Sequence, residues 1–487
     1  MSGTSIGLDP TDRPARAMPP LWLLLAAGSV ITALGLGVRS TFGLFLDPVI
    51  ETLGTGRGTF ALAIAIQNLV WGLSQPLAGA VADRFGSARV ITVGGIVYAL
   101  GLVLMSTATS SGMLYLSAGF VIGVGTGAAS FAVVLAAVGR MAPVEKRSMA
   151  LGVVTAMGSV GQFILVPLVQ RLIDSSGWES TAVILALVIL AVLACAPGLR
   201  GRAADFIASS NPDASSGAPA AIVPLRQELR RAAYSRSFIL LNLAFFVCGF
   251  HVTFIATHLA SYAEDVGQSR SNAANALALI GLFNIAGSLA AGVLGGKHSK
   301  TRLLSMIYTA RAVVITGFVL IPASQATTLI FGAAIGVLWL STVPLTSGIV
   351  TGQFGTAHSG TLFGIVFLAH QLGAFVGAWM GGTLADRLGS YDPVWWIAVG
   401  LGIVAAALHL VIDEGPQPQA PEAIRLSPAP IGGAAALLLA FGLSAALSLS
   451  TASRAGASES AIDSPSGSSD AAAVGYFCVL HPVALAE

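Results

Sequence analysis

Charge is what this chain has least of. Among 487 residues only 9% are Asp, Glu, Lys or Arg, while 55% are hydrophobic and the mean hydropathy is +0.83; soluble domains carry roughly 25% charged residues. So few charges cannot hold so much apolar surface in water, which excludes a soluble protein and makes lipid the solvent. The net charge of +2 is close to balance and gives a nucleic-acid partner nothing to bind. Cysteine is scarce too: Cys195, Cys248 and Cys478 are far apart and form neither a metal-ligand spacing nor a disulfide framework. The stretch Met1 to Pro20 lacks the apolar core of a signal peptide, so the first apolar run is expected to be retained. No Gly-x-x-x-x-Gly-Lys-[Ser/Thr] or His-Glu-x-x-His motif is present. These absences leave no nucleotide-driven pump or metalloprotease, and no cofactor is expected.

What the chain does have is apolar runs of spanning length, about 20 residues each. Twelve are legible: 21–46, 60–82, 90–109, 112–138, 148–173, 180–199, 237–262, 272–296, 303–322, 327–350, 361–385 and 393–412. The organisation expected is a tail 1–20, a six-span half 21–199, a polar central loop 200–236, a second half 237–412 and a low-complexity tail 413–487. Within that tail 431–449 is apolar and long enough to form a weak thirteenth span. Sixteen Lys and Arg fall on the side of the chain termini, against Arg57, Arg171, Arg270 and Arg387 on the other. That asymmetry places the N-terminus in the cytoplasm; a bacterial inner membrane is the location expected.

The chain repeats itself at a distance of about 212 residues. Gly37-Val38-Arg39-Ser40-Thr41-Phe42 matches Gly249-Phe250-His251-Val252-Thr253-Phe254, and Gly161 to Asp174 matches Gly373 to Asp386. Gly79 matches Gly292 and Arg89 matches Arg302, at a shift of 213. Repeated halves in a chain of spans are the signature of a carrier built around a central site. Rows of glycine at a spacing of four, Gly119, Gly123 and Gly127, then Gly373, Gly377 and Gly381, let helices touch backbone to backbone.

Two basic residues lie well inside the apolar runs, Arg39 and Arg311, and no acid does. An intramembrane arginine costs about 2.5 kcal/mol or more and needs a reason. A guanidinium without an acidic partner suits an incoming carboxylate, which it grips through two parallel hydrogen bonds. Span 2 offers Gln67, Asn68, Trp71 and Gln75; Gln67, Trp71 and Gln75 share a helix face. By the repeat, Trp71 corresponds to Asn284 and Gln75 to Ser288 across the pseudo-axis, and Tyr98 is the counterpart of Arg311. Gln162 and Gln371 complete a cavity for a small organic acid. If protons are coupled, His251 and His370 are the available carriers; His258 reads better as a packing histidine.

After span 2 comes Gly79-Ala80-Val81-Ala82-Asp83-Arg84-Phe85-Gly86-Ser87-Ala88-Arg89. This resembles the loop signature of the major facilitator superfamily, and with twelve spans and a long central loop the resemblance covers 21–412. It implies an all-α integral membrane fold of twelve helices in two pseudo-symmetric six-helix halves, a monomer, and gating roles for Gly79, Asp83, Arg84, Gly86 and Arg89. The second copy is degenerate, with Gly296 in place of the Asp. The segment Arg39 to Phe45 resembles the first span of monocarboxylate transporters, where a basic residue contributes to substrate binding. In span 8 that resemblance breaks: Asn284 and Ser288 stand where those transporters use an Asp and an Arg. Gly119 replaces the span-4 arginine of many proton-coupled members, and span 5 lacks the drug-antiporter signature. The reading is therefore a secondary carrier of small organic anions, with a proton or an exchanged anion as its driving partner. A drug or amphiphile efflux carrier and a non-transporting membrane sensor are the alternatives.

Overall fold

In the computed structural model, residues 20–129, 131–143, 146–200, 224–355 and 359–416 are described. The 431–449 segment, with most of the tail, lies outside them. Eleven helical stretches are long and apolar enough to cross a membrane. One of them, Ala150–Leu199, is 50 residues long, which would rise roughly 75 Å at 1.5 Å per residue, far more than a bilayer core of about 30 Å. Gly177, at φ 78°, breaks it in two; a left-handed backbone there is open to glycine and strained for other residues. Twelve crossings result, and the chain is a multi-pass integral membrane protein.

The spans are 1 (Leu21–Leu53), 2 (Arg57–Phe85), 3 (Ser87–Ser106), 4 (Ser111–Met141), 5 and 6 (together Arg147–Cys195), 7 (Arg236–Asp265), 8 (Arg270–Gly295), 9 (Lys300–Leu320), 10 (Gln325–Phe354), 11 (Ser359–Leu388) and 12 (Asp392–Leu410). Large apolar side chains such as Leu77, Val93, Leu187 and Val293 point outward, as lipid-facing positions must. The central 200–236 stretch is not all loop: Leu225–Tyr234 is a short amphipathic helix. Its Arg231 pairs with Glu228 at 3.0 Å and donates to the Gln353 carbonyl at the end of span 10.

The sequence repeat is a packing repeat. Gly37 and Gly161 lie against the backbones of spans 5 and 1, and their counterparts Gly249 and Gly373 lie against those of spans 11 and 7. A β-carbon at any of the four would collide with a main-chain carbonyl or its neighbours. The glycine rows do similar work inside each half, Gly119, Gly123 and Gly127 against span 2 and Gly373, Gly377 and Gly381 against span 7.

Three spans are interrupted. Span 1 stops at Arg39, passes a turn and a 3₁₀ segment Phe42–Phe45, and resumes at Leu46–Leu53. Span 4 holds a π-helical stretch, Tyr115–Val121, and leaves the helix after Ala128. Span 10 leaves it between Leu338 and Thr342. The last two breaks are repeat-related, and irregular backbone at membrane depth is tolerated only where protein or a cavity satisfies it.

The halves meet along spans 2 and 11, 5 and 8, and 1 and 7. Contact is tight at one face, the Arg57 face. Gly56 and Gly58 abut Asp386, Gly382 abuts Ala61 and the Arg57 backbone, and Gly43 lies on the backbone of Ala256 and Thr257. Toward the opposite face, which carries the start of span 1 and the end of span 12, the contact runs out. Gly79, Gly152, Gly292, Gly360 and Gly364, on spans 2, 5, 8 and 11, have nothing within 4 Å of an added β-carbon. Among the described residues, the two halves are shut at the Arg57 face and parted at the terminus face.

Candidate functional site

Arg39 closes the first helix of span 1, where the exposed carbonyls of a helix C-terminus favour a cation. Its Nη1 donates to Gln67 Oε1 at 3.2 Å and its Nη2 to Asn68 Oδ1 at 2.5 Å. The guanidinium carbon stands 4.7 Å from the Trp71 ring centroid, a cation–π contact. Both amides are themselves held: Gln67 Nε2 donates to the Ala118 carbonyl at 2.8 Å and Asn68 Nδ2 to Ile64 at 2.7 Å. Two of five N–H donors are thus spent, and among the described residues no carboxylate pairs with Arg39. Of the shared span-2 face, Gln67 and Trp71 join this cluster; Gln75, one turn further toward the terminus face, is half-buried and stands apart.

Beside Arg39, within the first half, is a cavity lined by Thr32, Leu36, Trp71, Tyr98, Thr126 and Phe131, among others. Thr32 Oγ1, Trp71 Nε1, Tyr98 OH and Thr126 Oγ1 are all buried without a hydrogen bond of good geometry. Tyr98 and Thr126 face each other closely enough to share a hydrogen bond, and the cavity, about 20 Å³, has room for a water that could serve Thr32 and Trp71. Thr32, Tyr98 and Thr126 were not among the sequence candidates. A lone hydroxyl on an apolar helix has no periodic signature, and Tyr98 carried only one clue, its repeat relation to Arg311.

That relation is informative. Arg311 is 1% exposed and donates from Nε and Nη2 to the Leu338 carbonyl at 3.2 and 2.6 Å, and from Nη2 to the Trp339 carbonyl. Its Nη1 meets Cys248 Sγ at 3.5 Å. It fills the break in span 10. Tyr98 occupies the equivalent place at the break in span 4 and leaves the cavity instead.

The remaining candidates tie helices together. Gln371 Nε2 donates to the Asn68 carbonyl at 3.1 Å, and Gln162 Nε2 to the Leu277 carbonyl at 2.9 Å. Both bonds join the halves across repeat-related span pairs, 11 with 2 and 5 with 8, although the two glutamines are not at repeat-equivalent positions. His370 Nδ1 is 3.0 Å from Gln371 Oε1, and its ring stacks on Phe367, which meets Trp71 edge-on. His370 therefore stands one residue from the Arg39 cluster. His251 does not: Nε2 donates to the Ala398 carbonyl at 2.7 Å, between spans 7 and 12, and Nδ1 has no partner. His258 bonds the Ala378 carbonyl and Tyr391 OH. Asn284 reaches Ser159 Oγ at 3.0 Å and accepts from the Leu340 N–H at 2.9 Å and from Ser288. Trp71 and Asn284 are equivalent by repeat but share no contact, because one packs on Arg39 and the other on the span-10 break.

In the loop motif, Gly86 turns the chain at φ 97°. Arg84 and Arg89 are exposed, Arg84 lying over Phe85 at 5.3 Å, and neither reaches the other half among the described residues. The Asp83 side chain is outside those residues. Gly79 meets nothing, as befits a parted face.

The shut face carries a charge cluster that the sequence reading left as span ends. Arg57 grips Asp265 with Nη1 and Nη2 at 2.5 and 2.6 Å, has Nε 3.5 Å from Asp47, and lies over Tyr391. Asp386 caps span 2, accepting from the Arg57 and Gly58 N–H groups at 2.9 and 2.6 Å. Ser261 donates to Asp47 Oδ2 at 2.6 Å. Arg270 pairs with Glu264 and lies 3.6 Å from Glu51. Most of these contacts bridge the halves.

Two pseudo-symmetric six-helix halves, shut at one face and parted at the other around a half-buried cation, define a secondary carrier that works by alternating access, and not an enzyme. The sequence matches the family described as the Major Facilitator Superfamily over residues 25–378 and again over 241–462. The chain belongs to that superfamily. It is 26% identical to monocarboxylate transporter 13 of Rattus norvegicus over 398 residues, covering 80% of this chain and 89% of the relative. It is 28% identical to monocarboxylate transporter 11 of Mus musculus over 379 residues (76% and 82%), and 25% identical to monocarboxylate transporter 4 of the same species over 395 residues (80% and 82%).

Proposed function

We propose that the protein carries small monocarboxylates, with Arg39 as the anion anchor. One observation carries this reading: an intramembrane guanidinium held by two amides and a tryptophan ring, with N–H donors unspent and no acidic partner among the described residues. The carboxylate would take the unspent N–H donors of Arg39. The body of the acid would lie against the Trp71 ring that flanks the anchor. The relatives' names supply the same substrate class. Gln67, Asn68 and Gln371 position the anchor. Gln162 and Asn284 hold the halves together, and Arg311 serves the span-10 break.

The charge asymmetry of the loops supports a cytoplasmic terminus face and an outer Arg57 face; on that reading the arrangement seen is inward-facing. In the outward-facing state Gly79, Asp83, Arg84, Gly86 and Arg89 would close the cytoplasmic face. The carrier works as a monomer in a plasma membrane, driven by a proton or by an exchanged anion, with His370 the titratable side chain nearest the anchor.

The test is uptake of labelled monocarboxylates into proteoliposomes, with and without an inward proton gradient. Arg39→Gln is expected to abolish saturable uptake while the protein stays folded. The gradient response separates symport from exchange. No carboxylate uptake under either condition overturns the anion reading.

A further inference from the structure

We propose that Asp47 is a proton-binding site at the outer gate, and that closing this gate takes up a proton from the outer solution. The proposal rests on the alternating-access reading and goes beyond it in assigning a site to the proton. Asp47 is the only carboxylate of the described membrane-spanning residues that is buried. It begins the second helix of span 1, eight residues past Arg39 and across the break.

The charge count around it does not balance. Arg57 and Arg270 are the two guanidiniums of the cluster. Against them stand Asp47 and Glu51 from span 1, and Glu264 and Asp265 from span 7. Asp386 is committed to the N-terminus of span 2. Tyr391, under Arg57, completes the ionisable groups facing Asp47. Four acids around two bases leave surplus negative charge; water screens it at the exposed members, and its cost falls on the acid that water reaches least.

The position of the surplus follows from exposure and pairing. Side-chain exposure is 69% for Glu51, 36% for Asp265, 24% for Glu264 and 11% for Asp47. Asp265 holds both Nη groups of Arg57, and Glu264 holds Arg270. Asp47 is left with Nε at 3.5 Å and the hydroxyl of Ser261. That hydroxyl can donate to a carboxylate or accept from a carboxylic acid, so the bond between the halves survives protonation. The least solvated and least paired acid is the one that closure would protonate.

The measurement is the distance between spin labels on Ser176→Cys and Val266→Cys, exposed positions on the two halves at this face, in the full chain with Cys195, Cys248 and Cys478 replaced and no substrate added. Lowering the pH from 8 to 4.5 is expected to enlarge the short-distance population. The ratio should change about tenfold for each unit by which the Asp47 pKa differs between open and closed states. Asp47→Asn, a neutral mimic, should hold the short distance at both pH values. Ser261→Ala, which removes the hydrogen bond to the ionised form, should move the midpoint to higher pH. A distance distribution that does not respond to pH, or an Asp47→Asn variant that responds as the parent does, overturns the proposal. Because no substrate is used, failed carboxylate uptake beside an intact pH response would sink only the substrate reading, and the converse only this one.

Discussion

Arg39 and Arg311 are both intramembrane arginines, and they spend their donors differently. Arg311 gives its N–H groups to the Leu338 and Trp339 carbonyls and to Cys248. Arg39 binds two amides and keeps the rest of its fork. Their mutants should therefore separate. Arg311→Gln should strip partners from buried carbonyls, at about 1–3 kcal/mol for each group left unsatisfied, and lower the thermal midpoint in detergent while the surviving protein keeps its KM. Arg39→Gln also strips Gln67 and Asn68 of a donor, so it should cost some stability, but it should in addition abolish saturable uptake in the protein that stays folded. A raised KM in thermally normal Arg311→Gln would return Arg311 to the substrate site. Tyr98→Phe tests the surroundings of the anchor more gently: losing one hydroxyl, whose one neighbouring group is Thr126, should nearly spare the fold and raise the carboxylate KM roughly 5–10-fold. Arg39, Gln67 and Trp71 were legible in the sequence because an intramembrane charge is conspicuous and four-residue spacing fixes a helix face. Thr32 and Thr126 were not, since their place on the cavity beside Arg39 is one that only three-dimensional packing reveals.

At the scale of elements, the repeat made the twelve-span order readable because Gly37, Gly161, Gly249 and Gly373 must stay small for spans 1 and 5, and 7 and 11, to touch. The breaks in spans 4 and 10 were hidden, as Ala129-Ser130 and Trp339-Leu340-Ser341 contain neither proline nor glycine. The segment after span 12 carries a contact that the sequence also concealed. Glu414 Oε1 accepts from Ser299 Oγ at 2.6 Å and from the Thr301 N–H and hydroxyl at 2.8 Å each, capping span 9. Burial raises the proton affinity of this carboxyl, but the bonds from Ser299 and Thr301 outweigh it and hold its pKa below the ordinary glutamate value. A carboxylate depressed in the folded state stabilises above its unfolded pKa, and that stabilisation is lost as pH falls through the folded value. Hydrogen exchange at the first turn of span 9 should thus be pH-independent, after intrinsic correction, from neutrality to the ordinary glutamate range and should accelerate below it. Glu414→Gln should exchange fast throughout. Equal protection in the variant and the parent would show that the cap contributes nothing.

For the whole molecule, the question is whether the two faces are linked. The Arg57 face is joined by contacts far apart in sequence, Arg57 to Asp265 across 208 residues and to Asp386 across 329, so neither local pattern nor repeat could have announced it. If the halves rock as rigid bodies, loosening this face must tighten the other. Arg57→Gln removes a bidentate ion pair on which the shut face depends. Partly exposed pairs of this kind are worth on the order of 1 kcal/mol, enough to shift a two-state balance about fivefold. The reporter is Gly79→Cys, where a side chain meets nothing in the arrangement seen, in a background without native cysteines. A membrane-impermeant maleimide applied to the terminus face should label it readily in the parent and more slowly, by at most about fivefold, with Arg57→Gln, because spans 2 and 11 would spend more time in contact there. Restoring an ion pair with Arg57→Lys should recover part of the parent rate. Labelling unchanged by Arg57→Gln would mean that the charge cluster shuts one face without any hold on the other, and the coupling required of an alternating-access carrier would have to lie elsewhere, in the paired glutamine bonds of Gln162 and Gln371.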